Sequence, residues 1–176
     1  MRLFWQKGYE GTSLSDLTDA IGVNRPSLYA AFGNKEELFR KVLDRYVELQ
    51  GEEMGTALSL PTAREVAGAL LHNAAKFLSR PESPGCMIVQ GALACSDKSE
   101  MVRHELCAKR EANVDMLSLR FEKAKIDGEL PDTVNAPDLA RYVVTVLNGM
   151  SVQAATGANE QDLLKVAELA MRAWPR

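Results

Sequence analysis

Apolar positions recur every three or four residues along most of this chain, the spacing of helices that bury one face. Leu14, Leu17, Ile21, Val23, Leu28 and Phe32 supply an inner face for two short helices; Leu38, Phe39, Val42, Tyr46 and Leu49 supply one for a longer helix. Further stripes are Val66, Leu70, Ala74, Phe77 and Leu78 in 63–79, then Val102, Leu106, Val114, Leu117 and Phe121. Two more are Leu139, Val143, Val146, Leu147 and Met150, and Leu163, Val166, Ala170, Met171 and Trp174. Gly8, Gly22, Gly33, Pro61 and Gly128 punctuate these runs. Helix starts are signalled by Ser13 with Asp16, Asn24 before Pro26, Asn34 with Glu37, Asp97 with Glu100, Pro137, and Asn159 with Asp162. The helix opened at Asn34 should run into the mid-fifties. Segment 86–96, CMIVQGALACS, has the residues of a strand, but its surroundings favour a helix. Leu3, Phe4 and Trp5 read as the last turns of a helix stopping at Gly8, whose beginning is expected to be missing here because so short a helix is marginal. The expectation is an all-α protein.

Composition narrows this picture. The 176 residues are 46% hydrophobic and 26% charged, which fits a globular chain of one ordinary or two small domains. No apolar run approaches the roughly 20 residues that span a bilayer, and the start is too short for a signal peptide, so cytoplasmic residence and no membrane partner are expected. Three cysteines argue against a disulfide framework. The net charge of −3 does not advertise nucleic-acid binding, but residues 1–47 carry seven Lys/Arg against six Asp/Glu, and the remainder fourteen against eighteen. A DNA reading must therefore rest on where the charges sit.

Residues 11–38, GTSLSDLTDAIGVNRPSLYAAFGNKEEL, locate them. They spell a short helix, a tight turn, and a second short helix that sets Arg25, Ser27 and Tyr29 outward. Such a unit is suited to enter a DNA groove. Candidate contacts are Thr12, Ser13, Asn24, Arg25, Pro26, Ser27, Tyr29 and Lys35. Arg25 would donate to a base edge or phosphate, and Pro26 would touch a thymine methyl. Ser27 and Tyr29 would reach phosphates or bases, and Thr12, Ser13 and Lys35 would meet phosphates at helix starts. Plain capping is the alternative for Ser13 and Asn24.

The combination Gly8-Tyr9-x-x-Thr12-Ser13, Leu17-x-x-Ala20-x-Gly22-Val23, Ser27-Leu28-Tyr29-x-x-Phe32 and Asn34-Lys35-Glu36-x-Leu38 resembles the TetR/AcrR family of bacterial transcriptional regulators. The resemblance covers about 45 residues and is specific as an ensemble. It implies an N-terminal helix-turn-helix DNA-binding domain, residues 1–47, and a C-terminal helical effector-binding and dimerisation domain, residues 48–176. Family members have a full first helix, often after a basic arm, which this sequence lacks. The implied activity is repression of a palindromic operator by a dimer, released by a small-molecule effector. The helix of residues 35–59, shared by both domains, would act as the lever. Gly85-Cys86-Met87-Ile88-Val89 and Ala94-Cys95-Ser96-Asp97 are similar to a subgroup with some cysteine-based sensors of oxidants or electrophiles.

Other residues carry weaker readings. Met54, Leu70, Phe77, Met87, Met101, Met116 and Phe121 are candidates for an effector pocket, although most such residues are core. Cys86, just after Pro84-Gly85, is the redox candidate, against the commoner role of a small buried hydrophobe. The two C-terminal helices, about 137–155 and 160–174, should form a four-helix dimer interface through Val143, Val146, Leu147, Met150 and Trp174. Glu100, His104, Cys107 and Glu111 share one helix face, read as a solvated stripe rather than a metal site. No catalytic constellation and no cofactor is expected: G-x-S-x-G, H-E-x-x-H and a phosphate-binding Gly-rich loop are absent from the sequence. A helical small-molecule-binding protein that never meets DNA is the remaining alternative.

Overall fold

Most helix boundaries are set by bonds that reach only three or four residues. The computed structural model describes residues 1–82, 84–95 and 99–175. Among these residues it contains α1 (Arg2–Gly11), α2 (Leu14–Ile21), α3 (Arg25–Phe32), α4 (Lys35–Leu58), α5 (Ala63–Leu78), α6 (Met87–Ala94), α7 (Glu100–Ile126), α8 (Ala136–Ala155) and α9 (Glu160–Arg172), with no strand. Side-chain oxygens of Asn24, Asn34 and Asn159 accept from the backbone N–H three residues on, at 2.9, 2.9 and 3.1 Å. Segment 86–96 contributes a helix, α6, as its surroundings suggested. Asp97, expected to open α7, lies outside the described residues.

Gly8 interrupts α1 at φ 68°, ψ 178°, a conformation essentially confined to glycine. The chain bends there before α2, so the helical run of Leu3, Phe4 and Trp5 does stop at this residue. Thr12, just beyond, is fully buried, and its Oγ1 donates to the Gly8 carbonyl at 2.7 Å.

Two cores organise the molecule. In the first, Phe4 and Trp5 of α1, Leu17 of α2, Leu28 of α3 and Leu38, Phe39, Leu43 and Tyr46 of α4 pack together. Met87, Ile88 and Ala92 of α6 and Val102 and Leu106 of α7 complete it. The N-terminal helices thus share one core with helices from beyond residue 47. The second core joins α5, α7, α8 and α9, with Phe121 edge-on to Trp174 at 5.4 Å between ring centres.

Several stripes face differently from the sequence expectation. Ile21 and Val23, expected inside, are 46% and 37% exposed, because the turn at Gly22 ends the stripe where no helix covers it. Val143, Met150 and Trp174, expected at a dimer face, are closed inside the protomer against α5, α7 and α9 and have almost no surface to offer a twin. Leu147 lines a cavity partly open to solvent, and Val146 is half-buried against the second core. The apolar side chains that α8 and α9 do leave exposed are Tyr142, Val152, Val166 and Leu169. Among the described residues, no helix is long and apolar enough to cross a membrane.

Candidate functional site

The outward surface of the N-terminal unit is built by two caps and one turn. Ser13 and Asp16 form a reciprocal capping box at the start of α2: Ser13 N–H donates to Asp16 Oδ2 at 2.8 Å and Asp16 N–H to Ser13 Oγ at 3.0 Å. Lys7 Nζ lies 2.7 Å from Asp16 Oδ1 and ties α1 to this cap. The Lys7 ammonium first, and then the Ser13 donors, hold the Asp16 carboxyl well below the usual carboxylate range. Gly22 takes the left-handed conformation, φ 76° and ψ 30°, and turns the chain into α3.

At the start of α3 the side chains divide cleanly. Leu28 is buried and anchors the helix, whereas Asn24, Arg25, Pro26, Ser27 and Tyr29 are exposed. Asn24 is a cap, with its Oδ1 accepting from Ser27 N–H. Arg25 Nη2 donates to Ser15 Oγ of α2 at 3.0 Å, which braces the guanidinium across the turn. The result is a helix N-terminus with one braced cation and one exposed phenol on a single face, the Ser27 N–H being taken up by the Asn24 cap and Pro26 having none. That arrangement can donate to phosphate oxygens and base edges.

Two candidate contacts sit elsewhere than expected. The Thr12 side chain is sealed under the α1–α2 junction by its bond to Gly8, so its hydroxyl does not face outward. Lys35 Nζ lies 4.4 Å from the centre of the Tyr9 ring, and burial lowers its pKa. It is a half-buried cation resting on an aromatic face at the edge of the unit rather than a freely extended one.

Behind this unit, where the two cores meet, lies a cavity of about 130 Å³. Met54, Leu70 and Phe77 line it, as the sequence reading proposed. Met87 and Phe121 do not: Met87 is buried in the first core and Phe121 packs on Trp174 in the second. Met101 and Met116 lie on the outer surface of α7, 68% and 39% exposed, and line nothing. The reading missed the polar lining of Gln50, Asn73, Asn113, Asn148 and Ser151. Its signal was present as polar residues interrupting apolar stripes, such as Asn73 between Leu70 and Phe77.

Cys86 also lines the cavity and is half-buried. Tyr46 Oη donates to its Sγ at 3.2 Å and accepts from Gln50 Nε2 at 2.7 Å. Burial first, then the adjacent Cys86, pushes the Tyr46 phenol far above its ordinary pKa, so it stays protonated. Trp5 of α1 stacks edge-on against Tyr46 at 4.8 Å, lies 5.9 Å from Phe77, and donates from its indole to the Pro84 carbonyl at 3.3 Å. The cavity wall is therefore in direct contact with the first helix as well as with α4. His104 and Glu100 form an exposed pair at 3.4 Å, and no group of three or more potential metal ligands occurs among the described residues.

Known proteins share this architecture. Residues 1–42 match the family profile described as "Bacterial regulatory proteins, tetR family". The HTH-type transcriptional repressor ComR of Escherichia coli (strain K12) is 33% identical over 180 residues, covering 99% of this chain and 85% of its own. The HTH-type transcriptional repressor BdcR of the same organism is 27% identical, covering 96% of this chain and 81% of its own. Among solved structures, a cysteine mutant of the TetR family transcriptional regulator CifR, complexed with 26bp double-strand operator DNA, superposes with a TM-score of 0.94. It is 40% identical and covers 99% of this chain and 92% of that one. The chain belongs to the TetR family of bacterial regulatory proteins and is a DNA-binding transcriptional regulator.

Proposed function

We propose that this protein is a cytoplasmic bacterial repressor that occupies a near-palindromic operator as a homodimer and leaves it when a small molecule fills the cavity. The observation that carries the reading is the start of α3: exposed Arg25, Ser27 and Tyr29 on a helix anchored by buried Leu28. In a dimer two such helices would enter successive major grooves about 34 Å apart. Tyr142, Val152, Val166 and Leu169, left exposed on α8 and α9, supply the apolar surface for a four-helix contact between copies. Ser13, Asn24 and the Lys35 ammonium serve at the edges of the same interface, Ser13 and Asn24 chiefly by fixing the starts of α2 and α3.

Release follows from α4. Its 24 residues, about 36 Å long at 1.5 Å per residue, place Leu38, Phe39 and Tyr46 in the first core and Gln50, Glu53 and Met54 on the cavity wall. An effector shifts the equilibrium only by its preference for the DNA-incompetent state, and a ligand that moves this wall acquires that preference by tilting α4. A second reading keeps the DNA output and changes the trigger, because Cys86 lines the cavity. The Cys86 sulfur would add to an activated carbon–carbon double bond: Sγ bonds one carbon as the π bond breaks, the other carbon takes up a proton, the thiol proton leaves to solvent, and Cys86→Ser would lose that response while keeping operator affinity.

The deciding measurement is binding of the purified protein to DNA from upstream of its own gene and to a genomic DNA library. Salt is titrated, and Arg25→Ala and Tyr29→Ala are run alongside. One selected palindrome, bound tightly and salt-sensitively and lost in both variants, is the expected result. Sequence-indifferent binding unchanged by either variant, with no site selected from the library, would overturn the repressor reading.

A further inference from the structure

Three asparagines converge on the cavity from three different helices: Asn73 from α5, Asn113 from α7 and Asn148 from α8. None makes a side-chain hydrogen bond among the described residues. Gln50 spends one N–H on Tyr46 and keeps its carbonyl oxygen. Ser151 Oγ accepts from the Cys86 N–H at 2.8 Å and keeps its own proton. Every one of these groups is a neutral dipole that can donate, and all can accept as well. The rest of the wall is hydrocarbon, chiefly Leu70, Phe77, Leu117 and Leu147.

Charge is nearly absent from this lining. Besides the Cys86 thiol, Glu53 is its one ionisable group among the described residues. Its carboxylate lies 3.9 Å from the Arg80 guanidinium, which in turn rests 4.6 Å from the centre of the Phe77 ring. A charged ligand entering here would shed its hydration and find amide dipoles rather than a free counter-ion, which is costly. A pure hydrocarbon would leave the amides cut off from water and unpaired, which is costly too. Volume sets the remaining limit. An engineered cavity of about 150 Å³ accepts benzene, so about 130 Å³, partly open to solvent, suits one ring with a small substituent or a short chain, roughly six to nine non-hydrogen atoms.

We infer that the cavity takes a small uncharged molecule, one ring or a short chain bearing a carbonyl, hydroxyl or amide group that bonds to Asn113 and Asn148. The inference rests on the cavity being the effector site, and it narrows that reading to one ligand class.

Five probes test it on the full chain: benzamide, toluene, benzoate, benzylamine and 2-naphthamide. Calorimetry and tryptophan fluorescence read binding, and anisotropy of labelled operator reads release. Benzamide should bind about tenfold more tightly than each of the others, roughly one hydrogen bond's worth. Asn113→Leu and Asn148→Leu, each verified as folded by circular dichroism, should each erase most of its advantage over toluene. Equal or tighter binding of benzoate, benzylamine or 2-naphthamide, or no binding by any probe, would overturn the inference. The benzoate result also reports on Arg110, one turn before Asn113 on α7, whose Nε is buried without a partner. If benzamide binds with the stated preference but operator stays bound, the ligand class stands and the effector reading falls. Operator released by a charged or two-ring probe instead overturns the ligand class and leaves the effector reading intact.

Discussion

Replacing Thr12 by valine deletes one hydroxyl and keeps the shape of the side chain. Thr12 has no solvent exposure, and its Oγ1 donates to the Gly8 carbonyl at 2.7 Å, with the Leu3 carbonyl at 3.4 Å. Valine would leave the carbonyl of half-buried Gly8 without this donor. Losing one such bond costs about 0.5–1.5 kcal/mol. For a chain of this size each kcal/mol lowers the melting temperature by roughly 2–4 °C, so a fall of roughly 1–6 °C is expected. Thr12→Ser, which keeps the hydroxyl, should recover most of it. Thermal unfolding followed by circular dichroism measures the shift, and operator binding at 25 °C across a salt series measures the contact. The salt dependence of Thr12→Val should match the parent protein, because no phosphate contact is lost. An unchanged melting temperature, together with a salt slope reduced by about 0.9, the loss of one phosphate contact, would refute the buried-clamp argument. It would mean that the hydroxyl turns outward to the DNA backbone.

Two further perturbations probe the same unit. Gly8→Ala should destabilise by about 1–3 kcal/mol through backbone strain alone, since the nearest atom to the added methyl is Ala94 Cβ at an ordinary 3.7 Å. Gly11→Ala, at a position without positive φ, should be neutral or stabilising, and urea titration of the pair compares them directly; equal losses would sink the strain argument. Acid should act through Asp16. Its pKa is depressed in the folded state, so its contribution is fully present above the unfolded value of about 3.9 and fades as pH falls below it. Melting temperatures recorded from pH 6 to pH 2 should show Asp16→Asn missing part of the acid-induced decline, and superimposable profiles would count against the Lys7–Asp16 bond.

The interface was more legible in the sequence than the cavity was. Ser13, Asn24, Asn34 and Asn159 announce helix starts because their partners are three residues away, and no tertiary contact is needed to complete the bond. Gly22 announces the turn for the same reason. The outward side chains of α3 followed as well: Arg25, Ser27 and Tyr29 are exposed around a single buried anchor, Leu28. Thr12 was misread as an outward group because its bond depends on the bend at Gly8, which the periodicity of the chain does not encode.

What the sequence by itself determined is therefore the all-helical pattern, the caps at Ser13, Asn24, Asn34 and Asn159, and the outward side chains of α3, mostly products of interactions over three or four residues. Only the tertiary structure decided which side of each long stripe met which neighbour. Val143, Met150 and Trp174 turned inward because α8 and α9 each pack on α5 and on each other, and that leaves Tyr142, Val152, Val166 and Leu169 outside. The cavity was decided in the same way. Its asparagines lie 35 or more residues apart along the chain and meet only because α5, α7 and α8 converge behind α4. Helical spacing specifies a buried face, but it carries no information about whether that face closes on a neighbour or leaves room for a ligand.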